Sequence, residues 1–185
     1  MAPGGQSGGL TKADMGKAKM RAQRIVYMPI ERERKFLVLG DTWRSSVTET
    51  VSIRQGYVTS SAMNSVRVRA TSQKGFLTIK SGSDPLRRLE FEYAIPIADA
   101  IILLDVVCEK PILEKSRHRI PTTEGLVWEV DEFHGHLSGL VLAEIELPDH
   151  IQEVDLPSWV EQEVTQDPRN LNANLVKAMP PIGRN

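Results

Sequence analysis

The sequence predicts a mainly β protein of the α+β class, an eight-stranded antiparallel closed β-barrel with helices packed outside it and a C-terminal closing helix. Three observations carry this. From Ile30 onward, short segments alternate apolar and polar residues with a period of two, separated by clusters of Gly, Pro, Asn, Asp and Ser. Six of these segments carry a pair of charged residues two positions apart, so each pair projects from one face of its strand. Two or three helices interrupt the series, among them stretches near 97–107 and after Pro168 that repeat their apolar residues at helical spacing.

Residues 1–28 contain Gly4-Gly5, Gly8-Gly9 and scattered Lys and Arg without a sustained apolar period. They read as a disordered leader or an artificial extension, with Met28 a candidate natural start. A basic targeting peptide is the alternative. The folded domain is expected over 29–180, with 181–185 a tail. Strands are expected near 30–39, 50–58, 64–70, 76–81, 88–95, 111–119, 126–133 and 140–147, enough to close a barrel with a usable interior. Pro96 stands at the entry to the first helix, where Ile101, Leu104 and Val107 recur. The C-terminal helix is expected to carry Leu171, Leu175 and Val176.

The charged pairs are Glu31 and Glu33 (with Lys35), Arg67 and Arg69, Glu90 and Glu92, Lys115 and Arg117, Glu129 and Asp131, and Glu144 and Glu146. The intervening positions are mostly apolar, including Val66, Val68, Leu77, Ile79, Leu89, Phe91, Tyr93, Val127, Val130, Ile145 and Leu147. The plainest account is a sheet whose ionised face meets water. Against it, each pair is of like sign, and like charges so close repel unless a counter-charge or a metal ion lies between them. Apolar helices are also available to cover the other face, which suits a barrel with its charged side inward. Ionised side chains do not persist in a dry core without partners, so the interior is expected to hold water and ions. Basic residues on some walls and carboxylates on others suit a phosphate chain with Mg²⁺ or Mn²⁺. Guanidinium and ammonium groups take phosphate oxygens, and carboxylates hold a hard cation that bridges others.

The bulk numbers exclude several other classes. The net charge is −1, from 23 basic and 24 acidic side chains, which favours neither nucleic acid nor an anionic membrane as partner. Cys108 is the only cysteine, so there is no internal disulfide or thiolate zinc cluster, and a reducing cytoplasm is the expected location. At the end of an apolar run, Cys108 reads as buried and structural. No apolar stretch approaches the ~20 residues a membrane-spanning helix needs. A homodimer is left open. His118 is expected to face outward and His136 to be structural in a turn. Arg54 reaches the interior in one strand register and not in the other, and Arg88 shares the parity of Glu90.

At Glu31-Arg32-Glu33-Arg34-Lys35-Phe36-Leu37-Val38 the chain resembles the Glu-x-Glu-x-Lys signature of the triphosphate tunnel metalloenzymes, the CYTH domain family. The resemblance continues in order through Arg54-Gln55-Gly56-Tyr57, Arg67 and Arg69, Leu77-Thr78-Ile79-Lys80, Arg88, Glu90 and Glu92, Glu114-Lys115 with Arg117, Glu129-Val130-Asp131, Glu144-Ile145-Glu146 and Glu163-Val164-Thr165 with Asp167. It covers about residues 30–176 and is similar to the short bacterial inorganic triphosphatases. It implies a tunnel in which a linear triphosphate is hydrolysed with Mg²⁺ or Mn²⁺. It further implies Glu31, Glu33, Glu144 and Glu146 as ligands of a first metal, with Asp131 assisting Glu90 and Glu92 at a second. Lys35, Arg67, Arg69, Lys80, Lys115, Arg117 and Arg54 are implied as phosphate contacts. Glu90, Glu92 and Lys35 are implied as the groups closest to the chemistry, the two acids orienting a second metal or the attacking water. The same motifs occur with nucleoside or thiamine triphosphatase and adenylate cyclase activities, and a polyphosphate-binding module is the non-enzymatic alternative. Near the C-terminus Asn170 stands where an aromatic residue is common in the family.

Overall fold

The computed structural model describes residues 29–175 apart from 62, 85, 152 and 171, so the expected leader and tail lie outside the described residues. The strands are β1 (Ile30–Val38), β2 (Glu49–Ser60), β3 (Asn64–Ala70), β4 (Gly75–Ser81), β5 (Arg87–Ile95), β6 (Leu113–Pro121), β7 (Val127–Phe133), β8 (Val141–Glu146) and β9 (Val160–Glu163). They form one antiparallel sheet in the order β5-β4-β3-β2-β6-β7-β8-β1-β9, and a β5–β1 pairing closes the first eight into a barrel. Closure runs through Ile30, Glu31 and Arg32 opposite Leu89, Arg88 and Arg87. Beyond that point the same edge of β1 is taken over by β9, at Phe36 and Val38.

The eight expected strands are present. β9 was not anticipated, because Val160-Glu161-Gln162-Glu163 offers one apolar residue in four and no alternation to read. It is held by polar contacts instead: Arg34 grips Glu163 at 2.6 Å, and the Val164 amide donates to the Lys35 carbonyl at 2.8 Å. The helix expected over 97–107 is α1 (Ile97–Ile102) running into a π-helical turn (Leu103–Val107). The C-terminal helix is short, a 3₁₀ turn (Pro168–Asn170) followed by α2 (Asn172–Leu175). Leu175 is buried as expected, whereas Leu171 and Val176 lie outside the described residues. Among the described residues no helix is long and apolar enough to cross a membrane.

The apolar side points outward, and two clusters cover it. Phe36, Trp128, Val130, Ala143 and Ile145, from β1, β7 and β8, pack under Trp43 and Trp159. Val68 and Ala70 pack under Ala100, Leu104 and Cys108 of the helical segment. The approach there is close: a Cβ on Gly75 would lie 2.6 Å from the Ala100 Cβ, and one on Gly56 would lie 2.8 Å from the Cys108 Cβ. Cys108 is therefore a packing residue, and burial pushes its thiol pKa up. The cover is incomplete over β4 and β5, where Phe91 and Tyr93 remain 40% and 53% exposed.

A third cluster lies within the barrel. Leu37, Leu113, Phe133 and Leu142 share the inward faces of Lys35, Lys115, Asp131 and Glu144, one step further along each strand. With Tyr57, Leu137, Val164 and Leu175 they fill one end of the barrel. The charged interior is thus a cup with an apolar floor.

Candidate active site

Strand register decides which charges meet. Residues directly opposite in an antiparallel pair share a face. Glu33 faces Glu146 and Lys35 faces Glu144 across β1–β8, Glu129 faces Glu144 across β7–β8, Arg117 faces Asp131 across β6–β7, and Lys80 faces Glu90 across β4–β5. All of these point inward. They converge on a cavity of about 840 Å³ lined by Glu31, Glu33, Glu90, Glu92, Glu129, Glu144 and Glu146 together with Arg67, Arg69, Arg117 and Arg119. Pro29, Ile30, Gly125 to Val127, Pro148 and Asp149 also line the cavity, and Asn172 reaches it from α2.

Most cations in the cup are held by carboxylates. Lys80 bridges Glu31 at 2.5 Å and Glu90 at 3.0 Å. Arg69 grips Glu92 at 2.8 Å, and Arg67 reaches Glu90 and Glu92 at 3.3 and 3.4 Å. The buried Thr78 hydroxyl donates to Glu92 at 2.9 Å and accepts from Arg67. At the base of the cavity Lys35 and Arg117 both contact Glu144 at 2.6 Å, and Arg117 also binds Asp131, which in turn takes the Lys115 ammonium. The Asn170 carbonyl accepts from the Lys35 ammonium at 3.3 Å, so the C-terminal turn completes this layer.

Two kinds of carboxylate result. Burial would push Glu144 up, but Lys35 and Arg117 outweigh it and hold the carboxyl well below the usual range. Glu31, Glu33 and Glu146 go the other way. Burial raises all three; Glu144 adds to the rise at Glu33, and Glu31 and Glu33 add to it at Glu146. These three acids lie close together on β1 and β8 with too little positive charge around them. The Lys115 ammonium is pushed down to about 8 by burial, which Asp131 only partly offsets.

The structure brings together Glu31, Glu33, Arg67, Arg69, Glu90, Glu92, Arg117, Glu144 and Glu146 around the cavity, with Lys35 and Lys80 directly behind carboxylates that line it. Three expected site residues lie elsewhere. Arg54 is on the outer face, paired with Asp105 of the π-helical turn at 3.0 Å and with Glu114 at 3.7 Å, because β2 presents Ile53, Gln55 and Tyr57 inward. Lys115 and Asp131 do point inward, but they are 2% and 0% exposed and bind each other below the floor of the cavity. Val127, expected on the apolar face, shares the parity of Glu129 and lines the cavity.

The expectations omitted Arg119, Thr78 and Asn172. Arg119 has the parity of Arg117, and Thr78 that of Lys80, so the signal for both was present. No local pattern could place Asn172. His118 faces outward as expected, packed on Trp43 and hydrogen-bonded to Thr50.

A closed antiparallel barrel with this ordered set of inward charges defines a class, and the comparisons agree. The CYTH domain model matches residues 29–177, and the chain belongs to the CYTH domain family. It is 50% identical over 147 residues to an inorganic triphosphatase of Acetivibrio thermocellus, covering 80% of this chain and 93% of that protein. It is 35% identical over 153 residues to an inorganic triphosphatase of Nitrosomonas europaea, covering 81% and 99%. Among solved structures it is similar to the inorganic triphosphatase NE1496, at 33% identity and a TM-score of 0.57, over 81% of this chain and 96% of that one.

Proposed function

We propose that this chain hydrolyses inorganic tripolyphosphate to pyrophosphate and phosphate with the help of Mg²⁺ or Mn²⁺, in a reducing cytoplasm. The observation that carries the reading is the lining of the cup: arginines and carboxylates from six strands, with no aromatic ring among the described lining residues. Such walls suit a bare phosphate chain. A nucleoside or thiamine triphosphate would bring a ring that gains from stacking, and none is offered.

The donor set fits a hard divalent cation. Glu31, Glu33 and Glu146 are close, crowded and pushed up, and bound positive charge relieves both burial and mutual repulsion. Glu144 adds a fourth carboxylate on the same wall. Among the described residues no three of these acids are gathered in metal-binding geometry, since Glu31 turns to Lys80 and Glu144 to Lys35 and Arg117. Binding therefore asks for side-chain turns. With Glu31 and Glu33 engaged on a cation, Lys80 keeps Glu90 and Lys35 keeps Glu144, and each ammonium group has further donors for phosphate oxygens.

The cation supplies charge neutralisation and positions water and phosphate. Arg67, Arg69 and Arg117 take non-bridging oxygens as charge shifts onto them, and Arg67 and Arg69 in turn hold Glu90 and Glu92 in place. We assign Glu90 and Glu92 to orienting the attacking water and Lys35 to the terminal phosphoryl group. Water adds to the terminal phosphorus, the bond to the bridging oxygen breaks, and pyrophosphate leaves. A pure anion receptor would gain nothing from seven glutamates facing its ligand.

The test is phosphate release across a panel of tripolyphosphate, ATP and thiamine triphosphate with Mg²⁺, Mn²⁺ or chelator, products identified. Tripolyphosphate with metal is expected to give the highest kcat/KM, and Glu31→Gln to cost roughly 10²-fold or more in rate. Near wild-type turnover by that variant, or tight binding without phosphate release, overturns the reading.

A further inference from the structure

Alternation along β1 sends Glu31, Glu33 and Lys35 inward and leaves Arg32 and Arg34 on the outer face. Arg34 staples β9 through Glu163. Arg32 does something different: its Nη1 donates to three backbone carbonyls, Pro148 at 3.2 Å, Asp149 at 3.3 Å and Ile151 at 3.2 Å. Those carbonyls belong to the turn that follows β8, closed by the Ile151 amide donating to the Pro148 carbonyl at 2.9 Å and anchored by the Leu147 amide on the Arg32 carbonyl at 2.8 Å. The other side of this turn faces the site, where Pro148 and Asp149 line the cavity alongside Pro29 and Ile30.

We propose that Arg32 is a positioning residue of the active site, one that fixes the Pro148–Ile151 turn from outside the barrel as a lip of the cavity mouth and thereby sets how firmly a triphosphate is held. The proposal rests on the tripolyphosphatase reading above. Carbonyl oxygens carry partial negative charge, and three aimed at one point repel one another unless a cation sits among them. The guanidinium meets that need with charge-assisted hydrogen bonds, stronger than neutral ones. Without it the turn loses three hydrogen bonds to the guanidinium, and segments with fewer contacts open more readily. Charge acts in the same direction. Asp149 brings a carboxylate to the mouth that an incoming polyanion must pass, and the Arg32 charge behind the same turn offsets it within a Debye length of about 8 Å. Arg32 touches neither the cavity nor the inward acids, so its loss is felt in binding more than in chemistry.

The experiment compares Arg32→Ala and Arg32→Lys with the wild type in steady-state hydrolysis of tripolyphosphate at saturating Mg²⁺, with hydrogen exchange of the Asp149 and Ile151 amides and calorimetric binding of tripolyphosphate. Arg32→Ala is expected to raise KM about five- to tenfold with kcat within about twofold, the split of a lost uniform binding contribution. It should also speed exchange at the turn while leaving the barrel strands protected. Arg32→Lys, which keeps a cation among the carbonyls, should recover most of the affinity. An Arg32→Ala variant with wild-type KM overturns the proposal, as does one whose kcat falls in step with protection throughout the barrel, which marks a purely structural role. Should the wild type release no phosphate from tripolyphosphate, the functional reading fails separately. Arg32 is then judged on binding alone, where weaker tripolyphosphate binding by Arg32→Ala supports the lip and unchanged binding ends it.

Discussion

Glu33 and Glu144 face the same interior and carry the same functional group, yet their neighbours give them opposite effects on stability. Burial and the nearby Glu144 push the Glu33 carboxyl up, and Lys35, at 3.8 Å, compensates weakly. A group whose pKa is higher in the folded chain binds more protons there than in the unfolded chain, so at neutral pH its charge works against folding. Glu33→Gln is therefore expected to raise the unfolding free energy of the protein in chelator while cutting hydrolysis roughly 10²-fold or more. Glu144→Gln should do the reverse to stability, because Lys35 and Arg117 hold Glu144 below its ordinary value and lose their partner in the variant. Thermal unfolding of the two variants in chelator checks the pair. A Glu33→Gln protein less stable than wild type would contradict this account of the charges.

At the scale of the element, strands were legible wherever one face was apolar and the other ionised, and illegible where neither held. β1, β3, β5, β6, β7 and β8 each show the alternation, whereas β9 is recruited by Arg34 and backbone hydrogen bonds that no pattern in Val160–Glu163 announces. Parity reaches further along these strands: Arg119 continues the face of Arg117, and Leu37 and Phe133 continue those of Lys35 and Asp131. Arg54 was misplaced because register in β2 depends on its partners, and pairing with β6 turns Ile53 and Gln55 inward instead. Lys115 and Asp131 were placed on the correct face, but depth along a strand is not encoded in alternation. Helix docking was legible only as apolar spacing, while the close contact that seats α1 lies in Gly75. Gly75→Ala is expected to destabilise by about 1–3 kcal/mol, since its Cβ would meet Ala100 at 2.6 Å and α1 must lift away. Denaturant unfolding measures this, and a neutral Gly75→Ala would show that the contact relaxes freely.

For the whole molecule, the crowded acids of β1 and β8 tie cation uptake to pH. Glu31, Glu33 and Glu146 hold protons at pH values where ordinary carboxylates have released them. Protons and a divalent cation compete for the same oxygens. The Mn²⁺ concentration for half-saturation should therefore rise as pH falls, and begin to rise at a higher pH than ordinary carboxylates near about 4 would give. Equilibrium Mn²⁺ titration follows this without requiring turnover, and a flat dependence would count against these acids as ligands.

The apolar cluster of Leu113, Phe133, Leu142, Leu175 and their neighbours has a consequence for traffic. A barrel sealed at its base is a cul-de-sac, not a corridor, so whatever enters must back out through the same doorway. When a chain of three phosphates is cut in two there, the piece nearer the opening has to clear before the deeper piece can follow. Whichever piece lingers keeps the next guest waiting outside.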